Sequence, residues 1–288
     1  MKSISRALII GKHGQLAQAL IASKPNKIIA TAMGRDDVDI GSLESIIAAI
    51  KQTRAELIIN TAAYTQVDMA ESQRDQAFSV NRDGAGNIAL AAKRTQTRLI
   101  HLSTDYVFNG KQNKAYCVDD EPSALNVYGA SKLAGEQAVI ATKYEEVCIV
   151  RSSWLYSQFG TNFVKTMLRL MTQQPKLSVI DDQTSCPTSA SELGQFIWSL
   201  SQQETLAPIY HWSDAGKASW YEFALAIQDM ALNLGKLDTR IPIEPISSSQ
   251  FSSAASRPLF SLLDITASRQ IMTAKPWREN LTSVLQQL

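Results

Sequence analysis

Residues 7–17 read ALIIGKHGQLA, and this stretch decides the predicted fold. The apolar run Ala7–Ile10 is typical of a short strand buried on both faces. Gly11 permits a tight turn after it, Gly14 lets the backbone approach a bound group, and Ala17 lets a helix pack closely on the strand. Because the N-terminus of that helix points at the turn, the stretch predicts a strand–turn–helix unit that binds the phosphates of a dinucleotide.

The same alternation of strand and helix continues along the chain. Helices are predicted between the strands, one capped by Ser42 and another covering Arg74 to Lys93. This repetition predicts an α/β fold of the Rossmann type, with a doubly wound parallel sheet. The further predicted strands are Lys27–Ala32, Leu57–Ile59, Leu99–Ser103, Val147–Arg151 and Leu177–Ile180.

After Arg151 the regular alternation of predicted strands and helices changes. We therefore predict a smaller C-terminal α/β domain that binds the substrate. The dinucleotide-binding domain is predicted to comprise residues 1–152 and about 181–204. The second domain is predicted to comprise about 153–180 and 205–288. A crevice between the two would hold the ligands.

Bulk composition excludes several classes of protein. The chain has 288 residues and a formal net charge of +1, so neither nucleic acid nor an anionic membrane is an expected partner. Cys117, Cys148 and Cys186 are far apart and match neither a disulfide framework nor a zinc site. The apolar run near the N-terminus is too short for a signal peptide or a membrane span, so we expect a cytoplasmic protein.

Tyr128 and Lys132 are four residues apart and would share one face of a helix. A lysine ammonium beside a phenol lowers the pKa of that phenol from its usual value of about 10, which would make Tyr128 a general acid or base. Tyr-x-x-x-Lys also occurs by chance in helices. The pair alone therefore leaves open an exposed tyrosine beside a solvated lysine.

Polar and small residues follow the predicted strands at their carboxyl ends, where open α/β sheets form ligand crevices. Arg35 suits the 2′-phosphate of NADP, neighbouring acids suit the ribose of NAD, and Asp39–Ile40 would line the adenine. The small residues of Asn60–Ala63 let a flat ligand lie against the backbone. Hydroxyls in Ser103–Phe108 can bind a substrate carbonyl.

Several motifs together resemble the extended short-chain dehydrogenases/reductases and, among them, the dTDP-4-dehydrorhamnose reductases. The stretches that carry the resemblance span nearly the whole chain: Gly11–Ala17, Asn60–Ala63, Thr65–Glu71, Ser103–Phe108, Leu125–Lys132, Arg151–Tyr156, Asn162–Leu168, Asp182–Gln183, Pro187–Thr188, Arg257–Pro258 with Ser261, and Pro276–Arg278. The resemblance implies reduction of the C4 keto group of a dTDP-4-dehydro-6-deoxy sugar by NADPH, with NADH as an alternative. It implies a nucleotide-sugar as the partner.

The resemblance also implies roles for single residues. Tyr128 would protonate the C4 oxygen, Lys132 would bind the nicotinamide ribose, and Thr104 would hold the carbonyl oxygen. The implied cofactor-binding residues are Gly11, His13, Gly14, Gln15, Leu16, Arg35, Asp39, Ile40, Ala62, Ala63, Tyr64, Ser103, Tyr128 and Lys132. The implied substrate-binding residues are Thr104, Asp105, Tyr106, Val107, Trp154, Asn162 and Arg257.

Some members of this family bind Mg²⁺ through glutamates at a dimer contact, one of them in the first helix. Here that helix carries Ala19 and no glutamate, so we expect no metal site and leave a homodimer open. Two other functions also stay open at this point. One is a related nucleotide-sugar epimerase or dehydratase, and the other is a non-catalytic regulatory subunit on the same fold, like the β subunit of methionine adenosyltransferase.

Overall fold

The computed structural model describes residues 4–288. Residues 1–3, where the predicted first domain and the N-terminal stretch begin, lie outside the described part. The strands are β1 (Arg6–Ile10), β2 (Ile29–Met33), β3 (Leu57–Asn60), β4 (Arg98–Thr104), β5 (Val147–Ser152), β6 (Leu155–Tyr156), β7 (Leu177–Ile180), β8 (Thr184–Ser185), β9 (Thr188–Ser189), β10 (Ile209–Trp212), β11 (Ala218–Ser219) and β12 (Ile243–Ile246).

The helices alternate with these strands, as the hydrophobic periodicity predicts. They are α1 (Gln15–Ala22), α2 (Leu43–Thr53), α3 (Val67–Ala70), α4 (Arg74–Phe78), α5 (Ala85–Thr95), α6 (Val127–Ala141), α7 (Phe163–Gln173), α8 (Ala190–Ser201), α9 (Trp220–Asn233) and α10 (Trp277–Gln286). A π-helical segment, Ser79–Gly84, joins α4 to α5, so the helix predicted from Arg74 is nearly continuous.

A six-stranded parallel sheet forms the centre of the fold, in the order β10-β5-β4-β3-β1-β2. Helices cover both faces: α1 and α8 pack on one side and α2 and α5 on the other. The predicted α/β fold with a doubly wound parallel sheet is therefore confirmed. The strand order reverses between β1 and β3, and a ligand crevice forms at such a switch point.

One predicted strand of the main sheet is wrong. Leu177–Ile180 does form a strand, but it pairs with β12 in a separate two-stranded sheet. The sixth strand of the main sheet is β10, which lies beside β5 and which the sequence did not reveal. Because both runs are only four residues long, contacts distant in the chain decide which one joins the sheet. We propose that the first domain extends to Trp212, since the predicted boundary near 205 would separate β10 from its sheet.

The second unit has an apolar core of its own, built mainly from α7, α9 and α10 around Phe223 and Trp277. Trp220 at the start of α9 lines one cavity together with residues at the carboxyl ends of β4 and β5. In the part of the chain that the structure describes, no helix is both long and apolar enough to cross a membrane.

Candidate active site

Helix α6 carries the tyrosine–lysine pair. Asn126 caps the helix by accepting a hydrogen bond from the Gly129 amide at 2.7 Å. Gly129 is required here because a Cβ atom would lie 2.2 Å from the carbonyl oxygen of Tyr106. Lys132 is buried and donates from Nζ to the carbonyl oxygen of Leu102 at 2.6 Å. The helix thus packs against the end of β4, with Tyr128 one turn before Lys132.

Thr104 ends β4 and faces the same space. Its hydroxyl donates to Oδ1 of Asp105 at 3.1 Å and accepts from the Tyr106 amide at 3.2 Å. Asp105 is buried and also accepts a hydrogen bond from the hydroxyl of Ser261, 156 residues further along the chain. Burial raises the pKa of Asp105 to about 7, although these two hydroxyls counteract part of the rise.

The acid–base properties of the pair differ from the prediction. Burial raises the pKa of Tyr128 to about 12, while a hydrogen bond with Thr104 partly opposes the rise. The predicted lowering is wrong for the free protein, because desolvation of the phenol outweighs the effect of Lys132, whose Nζ is bonded to the Leu102 carbonyl. Burial lowers the pKa of Lys132 to about 8, and the charge of Glu136 opposes that fall. Desolvation therefore makes this phenol, which is protonated at neutral pH, still harder to deprotonate.

Two cavities meet along the carboxyl edge of the sheet. The first, here called the α6 cavity, has a volume of about 610 Å³. It brings together these predicted residues: His13, Gly14, Gln15, Leu16, Ser103, Thr104, Asp105, Tyr106, Tyr128, Lys132 and Trp154. The second, the β2 cavity, has a volume of about 500 Å³ and is lined by the loop after β2. It contains these predicted residues: Gly11, His13, Gly14, Arg35, Asp39, Ile40, Ala62, Ala63 and Tyr64.

The place where the cavities meet fits the phosphates of a dinucleotide. Gly11 has a φ of +109°, and a Cβ atom there would lie 2.5 Å from Oγ1 of Thr61 and 2.8 Å from the Ala62 amide. Gly14 precedes α1, and among the described residues no side chain caps this helix and no acid lies in its first turn. The amide groups at its N-terminus are therefore available to an anion, which agrees with the predicted dinucleotide site.

Three predicted substrate-binding residues lie outside both cavities. Val107 is buried against Phe108. Asn162 caps α7, and its amide donates to Oε1 of Gln15. Arg257 binds both carboxylate oxygens of Asp68, at 3.2 and 2.6 Å. Contacts of these residues with a substrate stay predictions.

Trp220 is a wall residue that the sequence reasoning missed. Its ring stacks on Trp154 with the centroids 3.5 Å apart, and both rings line the α6 cavity. Trp154 adopts a φ of +45°, a left-handed conformation that is uncommon for a bulky residue. Ser219 and Glu222 form a capping box that begins α9, and this S-x-x-E spacing was the signal that could have placed Trp220 at the start of a helix.

Among residues 4–288 no group of three or more histidine, cysteine, aspartate or glutamate side chains could hold a metal ion.

Comparison with known proteins places this geometry in a family. Residues 5–288 match the model of the RmlD substrate binding domain. A dTDP-4-dehydrorhamnose reductase of Sinorhizobium fredii is 38% identical over 90% of this chain and 88% of its own. A dTDP-4-keto-6-deoxy-D-glucose reductase of Streptomyces niveus is 32% identical over 96% of this chain and 95% of its own.

A solved structure gives the same result for the fold. The dTDP-4-dehydrorhamnose reductase of Bacillus anthracis, crystallised in complex with NADP, superposes with a TM-score of 0.91. It is 35% identical, and the match covers 100% of both chains. The chain belongs to the RmlD family, the family of the dTDP-4-dehydrorhamnose reductases.

Proposed function

We propose that this protein reduces the C4 keto group of dTDP-4-dehydrorhamnose to the alcohol of dTDP-L-rhamnose, with NADPH as reductant. The observation that carries the proposal is the meeting of Thr104, Tyr128 and Lys132 on one cavity, which continues into a second cavity shaped for a dinucleotide. Relatives from two bacteria carry names for this type of reduction.

The residues of the α6 cavity perform the proton chemistry. NADPH, when bound, supplies a hydride to C4. Tyr128 donates its phenolic proton to the C4 oxygen as negative charge develops there; a phenol with a pKa raised to about 12 is fully protonated beforehand. The ammonium of Lys132, one helical turn away, stabilises the phenolate that remains. Thr104 binds the same oxygen and holds it within reach of the phenol.

The β2 cavity binds and orients the cofactor. Backbone amides at the start of α1 would hold the pyrophosphate, and Gly11 leaves room for it. Arg35 is exposed on the wall of this cavity and would bind the 2′-phosphate of NADPH. Trp154, stacked on Trp220, would pack against the sugar in the other cavity.

Steady-state turnover tests the proposal. The purified protein is mixed with dTDP-4-dehydrorhamnose and NADPH, and loss of nicotinamide absorbance is compared with formation of dTDP-L-rhamnose. A reductase consumes one NADPH per product. An epimerase or dehydratase would convert the nucleotide-sugar without net consumption of NADPH, and a regulatory subunit would do neither.

The cellular setting is part of the same proposal. All three cysteines are free thiols, which suits the reducing cytoplasm where NADPH is available. The balanced net charge of +1 argues against binding to nucleic acid or to an anionic membrane. A homodimer would be detected by sedimentation of the purified protein.

A further inference from the structure

A row of buried polar side chains lies beneath α6, on a face of the main sheet whose earlier strand positions are apolar. Leu99 and Ile149 on this face pack into the cluster beneath α2 and α5. Because side chains alternate along a strand, His101 and Arg151, two residues further on, lie on the same face. They are 1% and 2% exposed. Together with Glu136 of α6 and His211 of β10 they form what is here called the polar seat of α6: His101, Glu136, Arg151 and His211.

The strongest interaction of the polar seat joins α6 to β5. Arg151 donates to both carboxylate oxygens of Glu136, from Nε at 2.9 Å and from Nη2 at 2.7 Å, and both side chains are 2% exposed. The guanidinium also lies over the ring of Phe108, 5.1 Å from its centroid. A bidentate ion pair of this kind holds the helix in one position on the strand.

Both histidines of the polar seat are neutral. Nδ1 of His211 lies 3.0 Å from the Tyr116 carbonyl oxygen, which can only accept, so Nδ1 carries the hydrogen and Nε2 accepts from Arg151 at 3.3 Å. The Asn60 carboxamide accepts from the Ala62 amide through Oδ1 and therefore donates through its nitrogen to Nδ1 of His101. Burial lowers the pKa of His211 to about 3 and that of His101 well below its usual value.

Because both histidines are neutral, few charged groups surround Lys132. Leu102 offers it only a neutral carbonyl, and Glu136 is one helical turn away on the same helix face. On β4 the facing group is the neutral His101, and on β5 it is the cation Arg151. The 3₁₀ turn that follows β4 holds Asp105 and Tyr106. The charged residues on the other elements packed against α6 are Asp68, which is paired with Arg257, and Arg74, Asp75, Arg82, Asp83, Lys93 and Arg94.

We propose that Glu136 is a positioning residue of the reaction. Its bidentate ion pair with Arg151 fixes α6 on the sheet, and its carboxylate keeps the buried Lys132 protonated at the pH at which the enzyme acts. The inference deepens the proposed function, since it rests on a charged Lys132 acting beside Tyr128. A buried ion pair seldom adds stability over a well-packed apolar pair, so its presence here calls for another role. Supporting a second buried cation is such a role.

The direction of the effect follows from the burial of Lys132. Desolvation lowers the pKa of this lysine to about 8, and Glu136 is the neighbour that opposes the fall. Without the carboxylate, the ammonium would lose its proton at a lower pH, and activity that needs the ammonium would be lost at a lower pH as well.

The test compares Glu136→Gln with the double variant Glu136→Gln/Arg151→Met. Glu136→Gln leaves Arg151 buried without its anion, so we expect a large loss of thermal stability. The double variant removes both charges and should regain much of that stability. In both variants the anion beside Lys132 is gone, so the titration midpoint of Lys132 should fall. The fall should be about one pH unit or more in Glu136→Gln and smaller in the double variant, which also loses the cation Arg151. Asp83→Asn, which removes an exposed carboxylate from the segment packed on α6, should leave the midpoint unchanged.

The midpoint is measured by NMR on protein labelled with ¹³C at the lysine ε-carbon, with Lys132→Met used to assign the signal. This readout needs no sugar substrate, so it stays informative even if the protein proves not to be a reductase. In the reductase assay, the alkaline loss of kcat/KM should move to lower pH in the double variant. A Lys132 midpoint in the double variant equal to that of the unmodified protein would overturn the proposal and leave Glu136 a purely structural residue; if Glu136→Gln does not fold, the double variant alone decides.

Discussion

The two cavities that meet at Gly14 differ in the chemical groups that line them. The α6 cavity is lined by Asp105 and Lys132, which are buried and have strongly shifted pKa values, and by Tyr128. The β2 cavity is lined by backbone and by the exposed side chains of Arg35 and Asp39. The difference indicates that proton transfer needs desolvated groups, whereas binding of a nucleotide needs open backbone amides and solvated charges at the right places.

The largest expected effect comes from removing the phenol of the α6 cavity. Tyr128→Phe should lower kcat by about 10²–10⁴-fold, because that is the usual contribution of general acid catalysis. The affinity for NADPH, measured by calorimetry, should stay the same. Tyr144→Phe, three residues after the end of α6 and packed against the apolar core, is the matched control. Near-normal turnover of Tyr128→Phe would show that the proton comes from another group.

The second prediction concerns Asp105 and the dependence of stability on pH. Its pKa is raised from 3.8 to about 7, so between these values the folded chain keeps a proton that the unfolded chain has lost. The free energy of unfolding therefore falls as pH rises through this window, by about 4 kcal/mol at most. Asp105→Asn removes the titration and should flatten the fall between pH 4 and pH 8 in urea unfolding. Equal slopes for the variant and the unmodified protein would show that Asp105 is ionised throughout.

The third prediction concerns Arg257, which lies outside both cavities and was predicted to bind the diphosphate of the nucleotide-sugar. If it binds the nucleotide-sugar, Arg257→Ala should weaken that binding by roughly 1.5–3 kcal/mol, because one charge-assisted hydrogen bond is lost. Asp68→Asn, which frees Arg257 from its partner, should then not weaken it. If the pair instead only ties the C-terminal loop to α3, both variants should lower the melting temperature alike and leave the affinity for the nucleotide-sugar unchanged in calorimetry.

The smallest effect is expected in the β2 cavity. Arg35 is exposed, so Arg35→Ala should raise the KM for NADPH by about tenfold or less while the KM for NADH changes little. Steady-state kinetics with both cofactors measures this difference. An equal change for the two cofactors would mean that Arg35 does not contact the 2′-phosphate, and the contrast between the cavities would then rest on backbone alone.

Predictions from the sequence succeeded where a pattern is local. The apolar runs at Ala7–Ile10 and Leu57–Ile59 form the predicted central strands. Ser42 caps α2, as its position before an apolar helical pattern predicts. These features depend on neighbouring residues in the chain and can therefore be inferred from short stretches of sequence.

Predictions failed where the decisive partner is remote. The strand at Leu177–Ile180 was assigned to the wrong sheet because its partner, β12, begins more than sixty residues later. Trp220 was missed because its place in the α6 cavity follows from how the second unit lies over the first. The ion pair between Arg257 and Asp68, 189 residues apart, was likewise not foreseen from the sequence.

The sequence by itself determined that this chain alternates strands and helices, that a glycine-rich turn follows the first strand, and that a tyrosine and a lysine share a helix face. It also determined the family, since motifs from Gly11 to Arg278 match it. Only the tertiary structure decided the electrostatics: burial raised the pKa of Tyr128 where spacing had predicted a fall, and it placed Glu136 and Arg151 together beneath α6. The physical reason is that desolvation depends on every atom that surrounds a group, and most of those atoms come from distant parts of the chain.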